Sequence, residues 1–159
     1  MNQPLTRADV PFLDDLGVDF LDAPIGEGRV ALTLQARHLN SWNVAHGGVI
    51  MALLDVAMAI AGRSLDPDAR GGVTVEMKTS FLQPGEAGGR LTAHGKTFHR
   101  SLTMSFCEGE VRDSHERLIA KAIGTFKTIK RLGEATRKLD LTSDQGSSSM
   151  WKGSGSDAG

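Results

Sequence analysis

A long apolar segment in the first half of the chain constrains its fold more than any other feature. From Val49 to Ala61 every residue is apolar except Asp55. A helix that is hydrophobic on all sides is normally buried on all sides, so a helix over residues 47–64 needs cover on nearly every side. An unpaired carboxylate is costly in such surroundings, which makes Asp55 a candidate functional residue.

The segments before and after this helix alternate with the period of β-strands. Val30, Leu32 and Leu34 share one face of a predicted strand over residues 29–35, and a shorter strand over 18–21 precedes it. Four further strand candidates follow the helix with short polar or Gly-rich turns, at 72–81, 90–100, 102–112 and 118–130. Short connections favour antiparallel pairing. The sequence therefore predicts an α+β fold in which a curled antiparallel sheet wraps around one long central helix.

The chain divides into three predicted parts. Residues 1–17 form an N-terminal segment with a short helix, and residues 18–132 form the domain. Residues 133–159 are polar and without period, which predicts a disordered tail. Because a single curled sheet leaves one flank of an apolar helix open, we expect a second subunit to cover that flank.

Composition narrows the class of partners and the compartment. The net charge of −1 provides no global field for nucleic acid. The single cysteine, Cys107, excludes an intrachain disulfide and is interpreted as a buried filler in a reducing compartment. The first residues do not have the pattern of a leader, and the apolar run interrupted by Asp55 is expected to be too short to span a bilayer. The five histidines lack metal-ligand spacing. We expect a cytoplasmic protein without nucleic-acid, membrane or metal partners.

The segment that leads into the helix carries a family resemblance. Residues 40–48, NSWNVAHGG, followed by Leu54-Asp55, resemble the hotdog-fold acyl-CoA thioesterases. They are most similar to the phenylacetic-acid-degradation-type branch of the 4-hydroxybenzoyl-CoA thioesterase-like superfamily. Residues 73–84 and 99–127 extend the resemblance. It implies a hotdog fold and an obligate homodimer, often paired into a homotetramer as a dimer of dimers. It also implies hydrolysis of an acyl-CoA thioester at the subunit interface, without metal or organic cofactor.

Two groups are expected to polarise the thioester carbonyl. The first amides of a helix have no intrahelical acceptor, and a glycine lets a substrate approach them, so the N–H of Gly47 is the predicted oxyanion donor. Gly47 and Gly48 could instead serve only the packing of the helix start. The resemblance implies that the amide of Asn40 is a second donor, with Asn43 as the competing candidate on the same loop. His46 is expected to fix the Gly47 loop and not to act as a base.

The resemblance makes Asp55 the catalytic acid and implies that Thr74 holds the water near it. Asp55 is interpreted as a general base for water, with direct nucleophilic attack left open. The alternatives are a structural carboxylate that accepts from a backbone amide and an ordinary strand threonine. Strand alternation predicts that Thr74 faces away from Val73, Val75 and Met77.

Helix geometry adds a constraint on the site. Gly47 and Asp55 are eight residues apart, which is about 12 Å along a helix axis. A carbonyl oxygen about 3 Å from the Gly47 amide cannot also bring its carbon to the same chain's Asp55. We therefore predict that Gly47 and Asn40 of one subunit act with Asp55 of the other.

The remaining predictions concern substrate binding and rival functions. Arg100 with Ser101, and Lys127, are candidate partners for coenzyme phosphates, and an acyl pocket lined by Met51, Met58 and Phe81 is weighed against simple core packing. A non-catalytic acyl-CoA sensor and an acyl-carrier-protein thioesterase remain alternatives. A hydratase of the same fold is disfavoured because no histidine follows Asp55 before residue 94.

Overall fold

The computed structural model describes residues 10–69 and 71–129. Six strands form one antiparallel sheet in the order β1-β2-β4-β5-β6-β3. The elements are α1 (Pro11–Leu16), β1 (Asp19–Leu21), β2 (Glu27–Thr33), a 3₁₀ turn (Ala36–His38), α2 (Gly47–Ser64), β3 (Gly71–Phe81), β4 (Arg90–Arg100), β5 (Met104–Asp113) and β6 (Leu118–Ile129). The predicted sheet around one long helix is confirmed. The predicted tail over 133–159 lies outside the described residues.

The inner face of the sheet packs directly on α2. Leu53, Leu54 and Met58 are fully buried beneath the strands. Glycines make the closest approach possible, because a Cβ added at Gly95 on β4 would lie 2.5 Å from the carbonyl oxygen of Ala57. The backbone of β4 therefore touches the helix with no side chain between them, which fixes the position of α2 along the sheet.

One stripe of α2 is not covered by the sheet. Gly48 and Met51 are exposed, and Ala52, Asp55 and Val56 are only partly buried. This agrees with the prediction that a single curled sheet leaves one flank of the apolar helix open, because a sheet that curls around a helix from one side cannot reach its far flank. Asp55 lies within this open stripe.

By length and composition alone, α2 meets the minimum for a membrane-spanning helix, with 18 residues and sufficient hydropathy. The expectation that this run is too short to span was therefore too strict. Nearly half of it, 44%, is buried inside the fold, and the fully buried residues face the sheet. This is the packing of a core helix in a globular domain.

Strand β3 is a long exposed edge of the sheet. Its described backbone pairs only with β6, and Val73 and Val75 on it are more than half exposed. A long, apolar edge strand with unpaired N–H and C=O groups is a template for pairing with another chain. The edge of β3 and the open stripe of α2 are therefore both left without cover by the single chain.

A β-bulge in β3 changes which face Thr74 occupies. The register shifts between Thr74 and Glu76, so Thr74 lies opposite Phe126 and Met77 lies opposite Gly124. Phe126 and Gly124 are two residues apart on β6 and share a face, so Thr74 and Met77 also share a face. The predicted opposition of Thr74 and Met77 is wrong, because the extra residue in the bulge reverses the alternation.

Candidate active site

The loop before α2 presents the side chain of Asn40. Its Oδ1 accepts the N–H of Trp42 at 2.9 Å and the N–H of Val44 at 3.4 Å. Oδ1 is thereby engaged within the loop, and no described residue accepts a hydrogen bond from Nδ2. Asn43 is exposed, has a φ of 61° and donates its own N–H to the Asn40 carbonyl, which is the behaviour of a turn residue. This geometry favours Asn40 over Asn43 as an amide donor.

The first turn of α2 leaves one amide without an acceptor. His46 is the N-cap, and its Nδ1 accepts the N–H of Gly48 at 3.0 Å. The N–H groups of Val49 and Ile50 reach the carbonyl of His46. The N–H of Gly47 has no acceptor among residues 10–69 and 71–129. Because the positive end of the helix dipole lies here as well, this amide is suited to bind a developing oxyanion.

Asn40 and Gly47 line the same open cleft, which has a volume of about 340 Å³. Its other walls come from Ala45 and Ile50 and from the end of β3, where Phe81 and the following residues lie. A Cβ placed on Gly47 would lie 3.3 Å from Cζ of Phe81, so the ring stands close to the free amide.

The structure pairs Asp55 with Thr74. The Thr74 hydroxyl donates to Oδ1 of Asp55 at 2.7 Å, which the bulge makes possible by turning Thr74 towards α2. No backbone amide in the described part of the chain donates to Asp55, so the alternative of a carboxylate that accepts from a backbone amide receives no support. Oδ2 is left without a described donor and borders the open flank of the helix.

Asp55 and Thr74 form one half of the candidate site, the acid half-site, and Asn40 and Gly47 form the other, the amide half-site. The two half-sites lie apart within one chain. Asp55 is two helical turns beyond Gly47 on α2, and neither Asp55 nor Thr74 lines the cleft. Asp55 contacts β3 at Thr74, near the start of the strand, whereas Gly47 lies next to Phe81 at the end of the same strand. A single chain therefore does not bring Asp55 together with its own Gly47 amide.

The predicted phosphate partners lie elsewhere. The Arg100 guanidinium donates to the Leu65 carbonyl and to Asp66, each at 2.7 Å, beyond the C-terminal end of α2. Ser101 closes the β4–β5 turn, where its hydroxyl accepts the N–H of Met104. Lys127 is exposed on β6, opposite Val73. None of the three lines the cleft, and their contact with coenzyme phosphates stays a prediction.

Other sequence expectations have a structural outcome. Met58 is fully buried core, whereas Phe81 lines the cleft. Cys107 is buried, and burial raises the pKa of its thiol.

Within the described ranges, no three His, Cys, Asp or Glu side chains form a group that could hold a metal ion. Sequence reasoning missed Ala45 and Pro84 as cleft residues, since each looks like an ordinary loop residue.

A buried histidine supports the Asn40 loop. His38 is fully buried, its Nδ1 accepts the N–H of Gln35 at 3.0 Å, and its carbonyl accepts the N–H of His46. Burial lowers the pKa of His38 below its ordinary 6.5, and the charge of Arg37 adds to this. The folded chain therefore holds the ring neutral next to the segment that carries the candidate site.

This histidine predicts acid sensitivity. Below an ordinary His pKa of about 6.5 the unfolded chain binds more protons at His38 than the folded chain, so stability falls with pH until the folded ring also protonates. Thermal unfolding of the wild type followed from about pH 8 to pH 5 is expected to show this decline. His38→Asn, which keeps a side-chain acceptor, is expected to flatten it. An equally steep decline in the variant would contradict the assignment.

Comparison with known proteins identifies the family. The model of the thioesterase superfamily matches residues 43–120. A putative esterase of Deinococcus radiodurans is 35% identical over 130 residues, which is 79% of this chain and 86% of the relative. The acyl-coenzyme A thioesterase PaaI of Escherichia coli is 30% identical over 105 residues, 66% of this chain and 73% of that protein. The solved structure of the E. coli PaaI protein superposes with a TM-score of 0.71 at 27% identity, covering 76% and 86% of the two chains.

The chain belongs to the thioesterase superfamily, and its fold is the hotdog fold. Within that superfamily it is a PaaI-type protein and a thioester hydrolase.

Proposed function

We propose that this protein hydrolyses acyl-CoA thioesters to a free acid and coenzyme A, at two sites shared across a homodimer, with Asp55 as the general base. The observation that carries the proposal is the division of the chain into two half-sites. One half offers an unused amide at Gly47 beside Asn40, and the other offers a carboxylate oriented by Thr74. The name of the E. coli relative supports acyl-CoA as the substrate class.

The proposed reaction uses each group at a definite atom. The thioester carbonyl oxygen accepts hydrogen bonds from the Gly47 N–H and from Nδ2 of Asn40, which stabilise the negative charge that develops there. Oδ2 of the partner's Asp55 takes a proton from water as the water oxygen bonds to the carbonyl carbon. The tetrahedral intermediate then collapses and the C–S bond breaks. The leaving thiolate takes the proton that the Asp55 carboxyl received from water. Thr74 holds Oδ1, so Oδ2 faces the water.

Strand β3 provides a way to join the half-sites. Two β3 edges that pair antiparallel with Thr74 opposite the partner's Phe81 bring each acid half-site to the other chain's amide half-site, twice by symmetry. The faces agree with this register. Thr74 lies opposite Phe126 and Phe81 lies opposite Ala120, and both of these β6 residues are buried on the inner face. If the bulged residue Val75 is not counted, Lys78 lies midway between Thr74 and Phe81. The two-fold axis of the proposed dimer therefore passes near Lys78.

This register predicts a specific cross-link. Residues directly opposite across antiparallel strands have Cβ atoms about 4.5–5.5 Å apart, so a cysteine at residue 78 near the axis is close to disulfide range. Lys78→Cys is expected to form a covalent dimer on mild oxidation, seen on a non-reducing gel. Lys96→Cys on the interior strand β4 is the matched control. Equal or slower cross-linking of the Lys78 variant would contradict the pairing.

The function itself is tested with a panel of acyl-CoA esters. Release of free coenzyme A thiol by the wild type, strongly reduced in Asp55→Asn, is the expected result. Binding of acyl-CoA by the wild type without release of thiol would contradict hydrolysis and support a sensor. Faster turnover of the same acyl groups on acyl-carrier protein than on coenzyme A would replace the proposed substrate class.

A further inference from the structure

We infer that Phe81 determines which acyl groups this enzyme accepts, because its ring forms the adjustable wall of an acyl-binding cleft beside the Gly47 amide. The inference rests on the proposed function and adds to it the residue that sets acyl selectivity. Three observations carry it: the chemistry of the cleft, its size, and the position of Phe81 relative to the carbonyl-binding groups.

The walls of the cleft suit an acyl group better than the coenzyme arm. Ala45, Ile50, Phe81, Leu82 and Pro84 are apolar, and the polar side chains that line the cleft are those of Asn40 and Gln83. The pantetheine arm carries two amides, each of which loses free energy if it leaves water without a hydrogen-bond partner. Asn40 is already assigned to the thioester carbonyl. An apolar chain or ring pays no such penalty in this cleft.

The size of the cleft leads to the same conclusion. Its volume of about 340 Å³ is at the lower end of the range of about 300–1,000 Å³ for small-molecule sites. That volume accommodates one acyl group next to a carbonyl at Gly47, whereas a whole coenzyme A thioester is much larger. The coenzyme must therefore extend out of the cleft. The acyl group is the part of the substrate whose size the cleft can select.

Phe81 is the wall that can change without loss of the core. Ala45 and Ile50 are 6% and 3% exposed, so they are fixed by their packing in the core. Phe81 is 51% exposed in the single chain, at the end of β3 that faces the partner subunit in the proposed dimer, and its ring stands next to Gly47. A substrate whose carbonyl binds the Gly47 amide therefore meets this ring with the first atoms of its acyl group, and the volume of residue 81 sets the space available.

Two substitutions at this one position are expected to act in opposite directions. Phe81→Ala enlarges the cleft and shifts the preference towards longer or bulkier acyl groups. Phe81→Trp reduces the cleft and shifts the preference towards shorter ones. A change of a few carbons in an apolar pocket is worth about tenfold or more in relative kcat/KM, so each variant should move the ratio of long to short substrates by at least that factor.

The test measures kcat/KM for straight-chain acyl-CoA esters from butanoyl to dodecanoyl on the wild type and both variants. Phe98→Ala is the control, because Phe98 is also exposed, at 61%, but does not line the cleft. Opposite shifts in the two Phe81 variants, with the wild-type order kept in the control, are expected. Thermal unfolding confirms that each variant folds, and size-exclusion chromatography confirms that each keeps the oligomeric state of the wild type.

The outcomes separate the inference from the function on which it rests. If every variant hydrolyses the series in the wild-type order, with only a uniform change in rate, Phe81 does not set selectivity and the inference is overturned while the hydrolase remains. If the wild type hydrolyses none of the series, the proposed function fails and the inference fails with it.

Discussion

Replacement of Asp55 by asparagine is expected to lower kcat about a hundred- to ten-thousandfold, the usual contribution of a general base. The substitution keeps Oδ1 as an acceptor for the Thr74 hydroxyl, so the side chain retains its shape and its one described hydrogen bond. Only the ability to take a proton is lost. KM should change little, because the proposed mechanism binds the carbonyl at Gly47 and Asn40 of the other chain and not at Asp55. The measurement is steady-state thiol release from acyl-CoA.

Two further variants make this result specific. Asp68→Asn removes an exposed carboxylate in the loop after α2 and should leave kcat unchanged. Thr74→Val should cause a smaller loss than Asp55→Asn, because Thr74 orients the carboxylate and does not itself accept the proton. A kcat for Asp55→Asn close to that of the wild type would remove Asp55 from the mechanism.

Replacement of Gly47 by proline is expected to lower kcat about a hundred- to a thousandfold, the usual loss when one oxyanion donor is removed. Gly47 is the first residue of α2, where proline is well tolerated because that N–H has no helical acceptor. His46, with φ −63° and ψ 135°, already has the extended conformation that a following proline requires. The substitution therefore deletes a single donor and preserves the helix.

Gly47→Ala is the matched control. It adds a Cβ 3.3 Å from the Phe81 ring, as proline also does, but it keeps the N–H. The ratio of kcat between the alanine and proline variants therefore reports the loss of the N–H together with the ring atoms that replace it. Equal kcat values in the two variants would show that the Gly47 amide does not bind the oxyanion and that the glycine serves only to make room.

The sequence predicted the central helix and the sheet because their signals are local. Thirteen residues with one polar position predict a helix that is largely buried, and strand alternation with short turns predicts an antiparallel sheet. The face of Thr74 was not predictable in this way. A bulge depends on how β3 registers against β6, and the sequence of a single strand does not report that register.

The cleft shows a second limit of sequence reasoning. Ala45 and Pro84 come together because the Ala45 N–H donates to the Gly85 carbonyl and Val44 forms a bridge with Glu86. These contacts join segments about forty residues apart, and neither segment has a periodic signal. Asp55 was found because a carboxylate is unusual in an apolar helix, and the resemblance supplied Asn40 and Thr74, whereas most walls of the cleft are ordinary apolar residues.

The most direct test uses dimers assembled from two different inactive chains. One chain carries Asp55→Asn and the other carries Asn40→Ala, and two affinity tags isolate the mixed dimer. If each site takes its amides from one chain and its acid from the other, one of the two sites in the mixed dimer is intact, and about half of wild-type activity is expected. Activity no higher than the mean of the two parent homodimers would contradict a site shared between subunits.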